Sequence, residues 1–266
     1  MLHKRIISAL LFLPIFYLVV WQLPPIYFTA LVIVAAGAGQ YEFYLMAQAR
    51  GFHPFSLLGI ALGALVIFDF YRLLNPRLGP FFFLTASLVV IMAARLFSRR
   101  PVEGSIEDVA STFLGVFYVA MLFAFQIGLR MGVNGKQWLV FLYLVIWASD
   151  IGAYSIGIPF GKHRLYEKVS PKKSIEGLIG ALVASAGIAL VCRSWFMPFI
   201  GTGEAIMLAL ALACAGTVGD LAESLFKRAA GVKDSGELIP GHGGILDRMD
   251  SMLFAAPVLY YYLTMR

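Results

Sequence analysis

Long apolar runs dominate this chain and leave it few ways to fold. A helix needs about 20 apolar residues to cross the hydrocarbon core of a bilayer. Nine stretches meet or approach that length: roughly 6–21, 26–46, 55–74, 80–97, 112–129, 138–158, 174–196, 204–226 and 249–265. Only 14% of the 266 residues are charged and 60% are hydrophobic. A soluble domain carries about a quarter charged residues, so lipid must replace water around much of this surface. The expected fold is all-α, a polytopic integral membrane helical bundle of about nine transmembrane helices. No soluble block is long enough to hold its own core. Residues 1–266 are therefore expected to form a single membrane domain, with 1–130 an N-terminal helical scaffold, 138–250 the region that carries the chemistry and 249–265 the last helix.

Turn signals separate the runs: Pro24-Pro25, Gly51 with Pro54, Asn75-Pro76, Pro101, Asn134-Gly135 and Gly201 to Gly203. Lys4 and Arg5 before an apolar run resemble a signal peptide. Leu23-Pro24-Pro25, not a small-x-small cleavage pattern, closes that run, so it is expected to stay as the first helix. With the N-terminus inside, nine crossings put Lys4, Arg5, Arg50, Arg95, Arg99 and Arg100 inside, together with the basic loops at 161–173 and 227–248. That bias places the N-terminus in the cytoplasm and the C-terminus outside. The two loops carry the whole of it.

The net charge of +6 does not indicate nucleic acid. The basic residues flank apolar segments, and no aromatic-basic module is present. Cys192 and Cys214 sit in separate apolar stretches, with neither a metal spacing nor a disulfide framework. In the first 130 residues, Gly37-Ala38-Gly39 and Gly59-x3-Gly63 are spacings that let helices approach closely. Glu42 and Asp69 are single acids near helix ends and are expected at the interface. Glu103, Glu107 and Asp108 read as a solvated loop, with Ser105 or Asp108 capping the next helix.

The second half differs. Asp150 lies within an apolar helix, where a charge is costly without a cation, water or a partner. Glycine, lysine and serine then concentrate in Gly161-Lys162-His163-Arg164 and in Ser170-Pro171-Lys172-Lys173-Ser174-Ile175-Glu176-Gly177. Positive charge beside a helix N-terminus suits phosphate, although an ordinary basic loop with a helix start at Ser174 reads the same. Further on, Asp220, Glu223 and Lys227 fall at i, i+3 and i+7, on one helix face. A polar turn, Lys233-Asp234-Ser235-Gly236, leads to Gly241-His242-Gly243-Gly244 and Asp247-Arg248-Met249-Asp250. Asp247 and Asp250 share a helix face. With Asp220 they could hold a hard divalent cation through oxygen, and magnesium typically takes one or two carboxylates plus substrate phosphates. Acids interleaved with Lys227, Arg228, Lys233 and Arg248 suit a metal-bound polyphosphate. His242 tempts as a general base, but a phosphomonoester is largely dianionic at neutral pH and needs positioning more than deprotonation. There is no Walker loop, no G-x-G-x-x-G after a strand, no nucleophile elbow and no H-E-x-x-H.

The run Ser224-Leu-Phe-Lys227-Arg228-x4-Lys233-Asp234-Ser235-Gly236-x2-Ile239-Pro240-Gly241-His242-Gly243-Gly244-Ile-Leu-Asp247-Arg248-Met-Asp250 closely resembles the signature of the phosphatidate cytidylyltransferases, or CDP-diacylglycerol synthases. Trp147-x2-Asp150, Ala153-Tyr154, Gly157, Phe160-Gly161-Lys162 and Ser170-Pro171-x-Lys173-Ser174-x-Glu176-Gly177 resemble the same family. Ile151 stands where members usually have Ser or Thr, and Ser174 where Thr is common.

The resemblance implies that phosphatidate and CTP give CDP-diacylglycerol and pyrophosphate, with Mg2+ as cofactor and a monovalent cation such as K+ as candidate for a second. It places Asp220, Lys227, Arg228, Lys233, Asp234, His242, Asp247, Arg248 and Asp250 in catalysis. Ser170, Lys172, Lys173, Ser174, Ser224, Ser235, Gly243 and Gly244 would bind phosphate. Asp220, Glu223, Asp247 and Asp250 would hold the metal, with Asp150 and Glu176 in support. A bacterial inner membrane, cytoplasmic active-site loops and a homodimer are the expected setting. Two rivals stand beside this reading: a CTP-dependent transferase acting on another lipid, and an ion-coupled transporter using Asp150 and Asp220. Transporters often carry internal repeats, and no second copy of the 220–250 region occurs.

Overall fold

The computed structural model describes residues 14–72, 82–236 and 243–266. Within these the chain is almost wholly helical, because a backbone in lipid must satisfy its own hydrogen bonds. A short stretch ends in π turns at Leu18–Gln22. After it come α1 (Pro25–Ala49), α2 (Ser56–Arg72), α3 (Phe82–Leu96), α4 (Ser105–Leu114), a π segment (Gly115–Met121) and α5 (Leu122–Met131). Then follow α6 (Gly135–Phe160), a hairpin of β1 (Arg164–Tyr166) and β2 (Ser170–Ser174), α7 (Ile175–Trp195), α8 (Thr202–Ala230) and α9 (Leu246–Met265).

From α1 onward the described helices match the apolar runs to within a few residues, except that the helix expected at 112–129 starts at Ser105; of the helix expected at 6–21, residues 6–13 lie outside the described residues. By length and composition, five are long and apolar enough to span a bilayer: α1, the continuous 105–131 stretch, α6, α7 and α8. Helices α2 and α3 are apolar but shorter. Large apolar side chains such as Leu57, Val34 and Val183 stand more than two-thirds exposed on these helices. Water would not tolerate so much apolar surface, whereas lipid favours it. The chain is an integral membrane protein.

The described residues form two compact units. One comprises the chain up to Met131 together with Ala229–Arg248; the other comprises Gly132–Arg228 with Met249–Arg266.

In the first unit α1 starts on Pro24-Pro25, where proline fits the first helical turn. It ends at Gly51, whose φ of 81° makes the left-handed stop that glycine adopts without strain. Tyr44 of α1 fills the hollows left by Gly59 of α2 and Gly115 at the start of the π segment, and a Cβ at either glycine would collide with its ring. The Tyr44 hydroxyl donates to the Thr112 carbonyl at 2.9 Å. Gln40 donates to the Gly59 carbonyl at 3.0 Å, and a Cβ on Gly63 would strike Gln40. The Gly59-x3-Gly63 spacing is thus the packing seam expected of it.

Asp108 departs from expectation. It neither lies in a solvated loop nor caps α4, whose N-cap residue, Gly104, makes no side-chain cap bond. It is buried at 4% exposure. It accepts from the His53 amide at 2.8 Å, pairs with Arg95 at 3.2 Å and lies 3.5 Å from Arg100. Arg95 is itself buried and donates to the carbonyl of Pro101. A charge at an apolar helix end was invisible as a clamp because its partners come from the end of α3 and from two separate connections. Asp108→Ala leaves the Arg95 guanidinium buried without its counter-ion, a loss of about 3–5 kcal/mol. Thermal unfolding in detergent should show a clear drop in Tm; an unchanged Tm would mean that the pair carries no net stability.

In the second unit α6 and α7 meet backbone to backbone. A Cβ on Gly152 would run into the Gly180 carbonyl, and one on Gly180 would meet the Gly152 carbonyl at 2.6 Å. Small residues allow such approach in lipid, where close packing replaces hydrophobic drive. The hairpin between these helices was not foreseen. It is antiparallel, with Arg164 opposite Ser174 and Tyr166 opposite Ser170.

Candidate functional site

The second unit gathers acids. Asp220 and Glu223 sit one turn apart on α8, Asp250 in the first turns of α9, and Asp150 on α6. Asp250 lies within electrostatic reach of Asp220, Glu223 and Asp150. Glycine creates this proximity: a Cβ on Gly219 would stand 2.5 Å from the Asp250 carbonyl, so α8 and α9 touch there. Gly216 does the same against Ser251, with Ile146 beside it.

Two lysines answer the acids. Lys173, at the end of the hairpin, pairs with Asp220 at 2.6 Å. Lys227 pairs with Glu223, four residues before it on α8, whose side chain is fully buried. Four carboxylates thus face two ammonium groups. Ser224 Oγ lies 3.5 Å from Asp220 Oδ1. Arg228 donates to the Val169 carbonyl at 3.3 Å and ties the end of α8 to the hairpin turn. Among the described residues, no three His, Cys, Asp or Glu side chains already converge as a metal cage.

Other expected residues have structural duties. Ser174 is buried and caps α7, accepting from the Gly177 amide at 3.1 Å. Glu176, in the first turn, accepts from the Lys162 amide at 3.1 Å and the His163 amide at 3.2 Å, and meets His163 Nδ1 at 2.7 Å. It orders the loop that begins at Gly161. Ser170 is half-buried and Lys172 exposed on β2.

The glycine-rich signature belongs to the first unit, and its centre is an acid from α1. Glu42 is 1% exposed. Its Oε1 accepts from the Ile245 amide at 2.9 Å, and its Oε2 from the Leu246 amide at 2.9 Å and the Ser235 hydroxyl at 3.0 Å. Asp247 Oδ2 accepts from the Ser235 amide at 3.0 Å, the Ser235 hydroxyl at 2.9 Å and the Gly244 amide at 2.9 Å. Gly244 has no room for a side chain, because a Cβ would land on Ser235 Oγ and the Glu42 carboxylate. Gly243 has a φ of 82°. The N-terminus of α9, a natural anion cradle, is therefore filled by the protein's own carboxylates. Glu42 was expected at the interface; it is buried instead because three donors satisfy its charge. The signal was present, since an acid inside an apolar run is costly without partners. Lys233, Asp234 and Arg248 are exposed, and His242 lies outside the described residues.

A recess of about 630 Å³ in the first unit is lined by Arg50, Arg95 and Arg100 but equally by Glu103, Glu107 and Asp108. Its charge is balanced, so it does not select a polyanion.

Residues 3–266 match the model of the cytidylyltransferase family. The chain belongs to this family. Its relatives include proteins named phosphatidate cytidylyltransferase. That of Synechocystis sp. is 34% identical over 269 residues, covering 90% of this chain and 89% of the relative. That of Staphylococcus aureus is 42% identical over 177 residues, 66% of each chain. That of Staphylococcus saprophyticus is 40% identical over 155 residues, 58% of this chain and 59% of the relative. As a cytidylyltransferase the chain is a nucleotidyltransferase embedded in a membrane.

Proposed function

We propose that this chain transfers cytidylate from CTP to phosphatidate, releasing pyrophosphate and forming CDP-diacylglycerol for phospholipid synthesis. An oxygen of the lipid phosphate attacks the α-phosphorus of CTP. The new P–O bond forms as the bond from the α-phosphorus to the oxygen bridging the β-phosphorus breaks. The observation that carries this reading is the cluster of Asp150, Asp220, Glu223 and Asp250 faced by Lys173 and Lys227.

The donor set fits a hard cation: it is all carboxylate oxygen, and its four carboxylates outnumber the two lysines paired with them. Asp220, Glu223 and Asp250 are the residues that would hold Mg2+, with Asp247 as a further candidate from the first turn of α9 and K+ as a second ion. When bound, Mg2+ neutralises the phosphate oxygens and polarises the phosphorus under attack. Lys173 and Lys227 occupy the acids as ammonium stand-ins. Lys173, Lys227, Arg228, Lys233 and Arg248 would supply the positive charge that neutralises the triphosphate and the lipid phosphate. Ser170, Lys172 and Ser224 would add phosphate contacts from the second unit. The site lies at the cytoplasmic face of the bacterial inner membrane, where CTP arrives from water and the lipid from the leaflet.

The test is label transfer from α-labelled CTP into the organic phase by purified protein. Label is expected only with phosphatidate and Mg2+; EDTA should remove it and added Mg2+ restore it. Transfer to a polyprenyl phosphate but not to phosphatidate would replace the acceptor. No transfer to any lipid by folded protein would overturn the reading.

A further inference from the structure

Glu42 comes from α1, about 200 residues away in sequence from the signature it touches, and the reaction as written does not use it. We infer that Glu42 is a positioning residue for cytidylate transfer: it fixes Ser235 and the start of α9 at Ile245 and Leu246 and, through Ser235, the aim of Asp247. The inference rests on the transfer reading above.

Both carboxylate oxygens are engaged. Oε1 holds the Ile245 amide, while Oε2 holds the Leu246 amide and the Ser235 hydroxyl. These amides open α9, where the helix dipole favours a negative charge. Gly236 and Gly244 lack side chains where Glu42 sits, so the carboxylate is pressed between two glycines of the signature. Ser235 then connects Glu42 to Asp247: its hydroxyl lies within 3.0 Å of both Glu42 Oε2 and Asp247 Oδ2. A hydroxyl has a single proton to donate, so what Glu42 takes from Ser235 sets what Asp247 receives. Groups standing behind a metal-binding side chain are typically worth 10–100-fold in metal affinity or activity.

Glu42→Gln is the discriminating variant. It keeps the size but replaces one acceptor oxygen with an NH2 group, which would face a backbone donor. Glu42→Asp keeps both oxygens on a shorter stem. Full-length wild type and both variants are compared in nanodiscs for cytidylate transfer against Mg2+ concentration, and for amide exchange across 243–248. For Glu42→Gln, the Mg2+ needed for half-maximal rate should rise about tenfold and kcat fall about tenfold. Exchange at 245–247 should quicken while that of α6 and α7 stays as in wild type, and Glu42→Asp should recover part of kcat. Unchanged Mg2+ dependence and kcat in Glu42→Gln would overturn the inference. So would a loss explained by less folded protein, with wild-type Mg2+ dependence in the remainder. If wild type transfers nothing, the functional reading fails on its own, and exchange decides: faster exchange confined to 245–247 supports the hold of Glu42, and unchanged exchange refutes it.

Discussion

Asp250→Asn is expected to cut cytidylate transfer about a thousandfold and to leave the fold intact or slightly more stable. The two effects have one cause. Asp250 lies within electrostatic reach of the like-charged Asp220, Glu223 and Asp150, so removing its carboxylate relieves the folded state. In the proposed reaction the same charge holds a cation against the triphosphate. Losing it removes several kcal/mol of transition-state stabilisation, and three decades in rate correspond to about 4 kcal/mol. The measurement pairs kcat/KM for CTP with Tm. An inactive variant whose Tm equals or exceeds that of wild type matches a site that trades stability for function. Activity within a few-fold of wild type would remove Asp250 from the chemistry.

Gly244→Ala should be the most damaging single-methyl change in the signature. The added carbon would fall on Ser235 Oγ and the Glu42 carboxylate, and neither can retreat without giving up its hydrogen bonds. Overpacking of this kind costs about 1–3 kcal/mol. Displacing a catalytic segment by about 1 Å can cost a hundredfold in rate, so a loss of about that size is expected. Gly187→Ala is the control, because nothing lies within 4 Å of a Cβ there. Equal activity in the two variants would show that the crowding at Gly244 has no catalytic consequence.

What the sequence revealed and what it concealed divide along a physical line. Helix placement was legible because apolar length alone decides it in lipid. The family signature was legible because its polar residues are contiguous. Ser174 was readable as a helix start from its spacing to Gly177, and the structure gives it that task. The partners of the acids were not readable. Asp220, Glu223 and Lys227 share a face, yet Asp220 takes its cation from the hairpin at Lys173. Nor were the partners of the glycines in the 147–177 block: Gly177 packs against the Ala153 carbonyl of α6 and Gly161 lies against Ser174. Glu42 was hidden because its partners lie at the far end of the chain, and no local pattern encodes a contact across that distance.

That distance has a consequence for how the enzyme is made. The Glu42–Leu246 hydrogen bond closes a loop of 204 residues, so α1 waits in the bilayer with a buried acid until the ribosome has delivered the start of α9. Chains emerge and settle from the N-terminus onward, which makes this one of the last contacts to form. Until then Glu42 lacks the donors that satisfy its charge in the finished fold. A chain that stops short of α9 therefore cannot make this contact, and whatever it positions comes only with completed synthesis.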